Sequence, residues 1–147
     1  MDRRPARRAL EQDLAPRRAQ RVVTPPRGWI RALRDALGMT TRELASRMDV
    51  SQSRVTRLEQ AEVNGRVTLA TLRRAANALG CDLEYVLVPR KPLEELVRDQ
   101  ARRKARAQIE RVDATMALEN QRTDAATLDR ELDDLVDKLI DGRGLWS

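Results

Sequence analysis

The stretch TRELASRMDVSQSRVTRLE, residues 41–59, holds two short helical patterns separated by a break. Leu44, Ala45 and Met48 recur at the three- and four-residue spacing of one helical face, and Val55 and Leu58 do the same after the break. Asp49-Val50 lies between them, where the chain needs a positive φ that Asp tolerates, and Ser51 can cap the second helix. Ala45 is small, as a close helix crossing requires, while Val55 and Leu58 can seal the second helix on a core. Helix, tight turn and crossing helix therefore follow within one short segment.

The neighbouring sequence continues in the same style. From Trp29, residues Ile30, Leu33 and Leu37 share a helical face that Gly38 closes. Thr40 or Thr41 can cap the next helix, which reaches about Met48, and Ser51 a third through Glu59. Thr68 can cap a fourth, with Leu69, Leu72, Ala75, Ala76 and Leu79 inward and Gly80 at its end. After Gly80 the period changes: in CDLEYVLVP, Leu83, Tyr85 and Leu87 alternate with Asp82, Glu84 and Val86 until Pro89. Two readings fit residues 82–88, a short strand paired with the same strand of a second subunit or a last helical turn.

Pro92 can open a long helix with small or apolar residues at Leu93, Leu96, Val97, Ala101, Ala105, Ile109, Val112 and Met116. Asp124 can cap a final helix whose apolar face is Leu128, Leu132, Leu135, Val136, Leu139 and Ile140, with Gly142 ending it. Leu145-Trp146 is expected to dock. Upstream, Pro5 can open a short helix bearing Leu10 and Leu14, and Pro25-Pro26 marks a stiff linker. The expectation is an all-α protein in three parts: a basic N-terminal arm (1–28), a compact helical domain (29–90) and a C-terminal helical extension (92–147).

Composition narrows the function classes. At 147 residues, with 35% charged and 41% hydrophobic, the chain fits one modest soluble core plus an appendage. No apolar run approaches the roughly 20 residues of a membrane span, and the Arg-rich start lacks a signal peptide's apolar stretch, so no membrane association and a cytoplasmic location are expected. A single cysteine, Cys81, and no histidine argue against an internal disulfide, a multi-cysteine metal site and His-based acid–base chemistry. Cys81 reads as a small buried hydrophobe. No enzyme activity, cofactor or metal is expected.

The net charge of +6 is unevenly spread. Residues 1–28 carry eight arginines against Asp2, Glu11 and Asp13, whereas residues 123–141 carry seven acids against Arg130 and Lys138. A basic front suits a phosphate backbone. Arg3, Arg4, Arg7, Arg8, Arg17, Arg18 and Arg21 read equally as an arm on DNA or as a solvated tail.

With cap, small residue, turn and seal in place, residues 29–80 resemble the lambda-repressor-like, or Xre-type, helix-turn-helix family. Family members usually carry Gly where this chain has Asp49. The resemblance implies that the helix after Ser51 enters the major groove of duplex operator DNA, with Gln52, Ser53, Arg54, Thr56 and Arg57 outward. Gln can pair bidentately with adenine and Arg with guanine. Base contacts are implied most often at Gln52, Ser53 and Arg57, and backbone contacts near Thr41 and the loop Asn64-Gly65-Arg66. Arg34 and Glu59 match a family pair that locks the first helix to the third.

A second resemblance spans nearly the full length. GWIRALRDALGMT (28–40), ALGCDLEYVLVPR (78–90), MALENQ (116–121) and the terminal Leu145-Trp146 resemble the family called mobile mystery protein A. Its gene commonly lies beside one for a Fic-domain protein, and Fic enzymes transfer AMP from ATP to target hydroxyls. Fic inhibitors share the pattern Ser/Thr, three residues, Glu, then Gly/Asn, and Thr115, Glu119 and Asn120 fit it. The resemblance implies that Glu119 pairs with the arginine that should hold the ATP γ-phosphate, so that ATP binds unproductively. Read from the residues alone, Glu119 is also an ordinary solvated helix charge.

Together these readings describe a homodimeric, operator-binding antitoxin that represses its own operon and inhibits a Fic-type toxin. The competing reading is a phage-type transcriptional regulator whose C-terminal helices only dimerise.

Overall fold

The computed structural model describes residues 2–118 and 124–147, and among these every regular element is an α-helix. In chain order they are α1 (Arg4–Ala19), α2 (Trp29–Ala36), α3 (Thr41–Met48), α4 (Gln52–Val63), α5 (Leu69–Ala78), α6 (Leu93–Leu118) and α7 (Ala125–Ile140). They form two units, one of Val22–Leu87 and one of Met1–Arg21 with Val88–Ser147.

In the first unit, local chemistry sets the helix starts. Thr40 and Glu43 form a capping box on α3: the Thr40 hydroxyl accepts the Glu43 N–H, and the Glu43 carboxylate accepts the Thr40 N–H at 2.7 Å. Ser51 caps α4 by accepting the Arg54 N–H, and Thr68 caps α5 by accepting the Thr71 N–H. Helix α2 has no cap of its own, and the carboxylate of Glu62 on α4 accepts the N–H groups of Trp29 and Ile30 at 2.8 and 3.1 Å. Gly28 makes this approach possible. Its φ is +82°, and a Cβ there would stand 2.6 Å from Glu62 Oε2.

Ile30, Leu44, Ala45, Met48, Val55, Leu58, Ala75 and Leu79 make the core of this unit, with Leu33, Leu72 and Cys81 packed against it. Leu44 and Val55 are fully enclosed, so truncating Leu44 to Ala would cost about 2–5 kcal/mol. Arg34 and Glu59 are buried within the unit and paired at 2.7 Å, and Arg34 also donates to the Met39 carbonyl at 2.9 Å. The Glu59 carboxylate, helped by Asp35, raises the Arg34 pKa above its ordinary value.

The second unit is built on α6. Helix α7 runs antiparallel to it: Ile109 lies near Leu128 and Leu132, while Ala101 and Ala105 pack against Val136, Ile140 and Leu145. The two alanines are fully enclosed, which brings the helices close. The apolar stripe of α6 is covered unevenly, since Val112 is half exposed. Of the terminal pair, Leu145 docks but Trp146 does not, being 63% exposed.

Within the basic arm expected over residues 1–28, Arg4–Ala19 form α1. Three of the arm's eight arginines meet acids of the same unit: Arg7 pairs with Glu94 at 2.7 Å, Arg4 with Asp141 at 3.2 Å, and Arg18 with Glu11. Glu11 also accepts the Leu93 N–H at 3.0 Å, capping α6 from a distant helix. That bond first, and Arg18 second, hold the Glu11 carboxyl below its usual range. Helix α1 thus joins the C-terminal helices, and residues 22–28 lead into the first unit.

Residues 81–89 form neither a strand nor a last helical turn. A strand needs a partner, and among the described residues this segment pairs with no other. No described helix is long and apolar enough to cross a membrane.

Candidate nucleic-acid interface

The interface is built on the turn between α3 and α4. Asp49 ends α3 at φ 55°, ψ 50°, the left-handed conformation that reverses the chain, and its N–H bonds back to Ser46 O while that of Val50 reaches Ala45 O. The reversal lays α4 across α3. Val55, Leu58 and Glu59 face inward, and the remaining face of α4 is left to solvent.

That outer face carries Gln52, Ser53, Arg54, Thr56 and Arg57, every one exposed. Gln52 Nε2 donates to Thr41 Oγ1 at 2.8 Å, which joins the first residue of α4 to the first residue of α3. The Ser51 and Ser53 hydroxyls lie 3.1 Å apart, and Thr56 donates weakly to the Gln52 carbonyl at 3.4 Å. Arg54 and Arg57 have no carboxylate within salt-bridge range among the described residues. A helix face this free of acid partners can offer guanidinium and amide groups to base edges without first breaking ion pairs.

Beside the face runs an open groove of about 370 Å³, in which Arg54, Arg57, Arg66 and Arg74 converge. Arg66 comes from the loop after α4, where Asn64 closes the helix and Gly65 turns the chain. Arg74 was missed by sequence reasoning. Its position on α5 gave no motif signal, and only the packing of α5 on α3, where Arg74 donates to the Met48 carbonyl at 3.3 Å, brings it to the groove. Arg47 similarly donates to the Ala78 carbonyl at 2.6 Å and ties α3 to α5. Four guanidinium groups around a shallow groove suit phosphate oxygens.

The structure brings together Thr41, Gln52, Ser53, Arg54, Thr56 and Arg57, with Arg66 across the groove and Asn64 on the adjoining loop. Thr115 belongs to the other unit, exposed near the end of α6, its hydroxyl donating to the Arg111 carbonyl at 3.0 Å. Glu119 and Asn120 lie outside the described residues.

The family model described as Helix-turn-helix matches residues 30–86, from α2 through α5 to the segment beyond, and stops short of α6. No curated protein and no solved structure matches the chain. Residues 30–86 are a helix-turn-helix domain of the Xre, lambda-repressor-like kind, a DNA-binding regulatory fold.

Proposed function

We propose that the protein is a homodimeric, DNA-binding antitoxin that represses its own operon and restrains a Fic-type AMP-transferase. The DNA half rests on one observation: the exposed, acid-free face of α4, with Gln52 held by Thr41 and four arginines around the adjoining groove. In the bound state α4 lies in the major groove, Gln52, Ser53 and Arg57 meet base edges, and Thr41, Asn64 and Arg66 meet the backbone. The test is binding to short duplexes across a salt series. Arg57→Ala should lose roughly 1–3 kcal/mol on a preferred duplex and less on an unrelated one. Unchanged affinity and an unchanged preference between the two duplexes would remove Arg57 from base recognition.

The inhibitory half is supported by the pattern Thr115, Glu119, Asn120 and by the full-length resemblance, with Thr115 exposed on α6. A glutamate presented to the transferase's γ-phosphate arginine competes for its guanidinium and repels ATP. Labelled-ATP transfer by a coexpressed Fic-domain protein measures this. Glu119→Gly should release AMP transfer while the complex stays assembled and DNA binding is unchanged. A silent but intact mutant complex would favour steric cover, and no complex at all would favour the plain phage-type regulator.

A further inference from the structure

The segment from Asp82 to Val88 combines three properties that a finished surface rarely keeps. It lies in no helix or strand, none of its backbone N–H or C=O groups is hydrogen-bonded among the described residues, and its middle is apolar and bare, with Tyr85 67% and Leu87 86% exposed. Val86 and Val88 are exposed on the alternate positions. A strand edge of this composition templates pairing with another strand and is blunted or covered in stable proteins. Its β-branched and aromatic residues suit a pleated ladder.

The charges select the occupant and its direction. The segment begins with Asp82 and Glu84 and is followed by Arg90. Parallel pairing of two copies would set acid beside acid and base beside base. Antiparallel pairing sets the acidic start of each copy beside the basic end of the other, and it generates the two-fold axis of a closed dimer.

We propose that this segment is the dimer seam: two copies pair antiparallel with Val86 opposite Val86 on the two-fold axis. Tyr85 then faces the partner's Leu87, and Asp82 faces the partner's Arg90. Pro89, which has no N–H to give, falls at the end of the ladder, where that loss is tolerated. Cross-strand aromatic–aliphatic and opposite-charge pairs of this kind are what stabilise a two-stranded ladder. The inference deepens the homodimeric reading above and rests on it.

The test uses the full chain without DNA. In a Cys81→Ala background, Val86→Cys should form a covalent dimer under mild oxidation, whereas Ser53→Cys on α4 should not. Asp82→Arg and Arg90→Asp should each weaken dimerisation by roughly tenfold in sedimentation, and the double swap should restore it. A dimer that neither cross-links at residue 86 nor responds to the charge changes overturns the ladder while leaving a dimeric DNA reader standing. A monomer at every concentration that saturates DNA overturns both.

Discussion

Gln52 and Thr41 are joined by a 2.8 Å hydrogen bond between the first residues of α4 and α3. The bond uses one Nε2 hydrogen and leaves the other, together with the side-chain oxygen, without a partner among the described residues on an exposed side chain. Those two groups match the N7 acceptor and N6 donor of adenine. The pair therefore sets a recognition side chain in place before DNA arrives, which lowers the ordering cost of binding. Thr41→Val should cost about 1 kcal/mol on the preferred duplex, and Gln52→Ala about 1–3 kcal/mol. In the double mutant the losses should be less than additive; additive losses would mean that the two residues act independently.

Arg34 and Glu59 tie α2 to α4 beneath the recognition face. Their separation is 2.7 Å, and both side chains are about nine-tenths buried. Glu59→Ala leaves a buried guanidinium without its main partner, and should lower unfolding free energy by about 3–5 kcal/mol in urea titrations. Replacing both with apolar residues of similar volume should cost far less, since no charge is then stranded. A Glu59→Ala loss below about 1 kcal/mol would show that water replaces the carboxylate freely.

Asp49 adopts φ 55°, a conformation that glycine enters without steric cost. Asp49→Gly should raise stability by roughly 0.5–1 kcal/mol, and Asp49→Val should lower it by more than that, because a β-branched residue is strained there. Thermal unfolding of the two variants gives the comparison, and equal melting temperatures would contradict the strained turn.

Among the carboxyls with depressed pKa values, Glu43 and Glu11 tie the stability of helix starts to pH. Glu43 is held down by the Thr40 N–H first and the Thr40 hydroxyl second, and Glu11 by the Leu93 N–H first and Arg18 second. Because each folded pKa lies below the ordinary value of 4.5, the stability they contribute is present above that pH. It is lost as pH falls through the lower folded value. Denaturation between pH 6 and pH 3 should show this loss, and Glu43→Gln should flatten part of it. An unchanged pH profile in Glu43→Gln would remove the capping box from the account.

The helix-turn-helix was legible because its determinants are local. Leu44, Ala45, Met48, Asp49, Val55 and Leu58 specify a crossing within fifteen residues, and Ser51 and Thr68 cap the helices they precede. The α7 face was legible for the same reason. Glu62 capping α2, Glu11 capping α6 and Arg74 reaching the groove depend instead on residues distant in sequence, where periodicity carries no signal. The pairing of Arg7 with Glu94 and of Arg4 with Asp141 was hidden for the same reason. The alternation at residues 82–88 read as a strand or a last helical turn and neither formed, since a strand needs a partner that periodicity within one chain cannot supply.

The most direct measurement of the central claim is selection of bound duplexes from a random pool by the full chain, alongside Arg57→Ala and Gln52→Ala. A dimer that presents α4 to the major groove should enrich a palindromic site whose half-site centres lie roughly 34 Å apart, about one turn of DNA. Each variant should lose preference at one position in each half-site and keep the rest. Failure to enrich any sequence, or an enriched site that both variants reproduce unchanged, would contradict the reading of α4 as the element that recognises DNA.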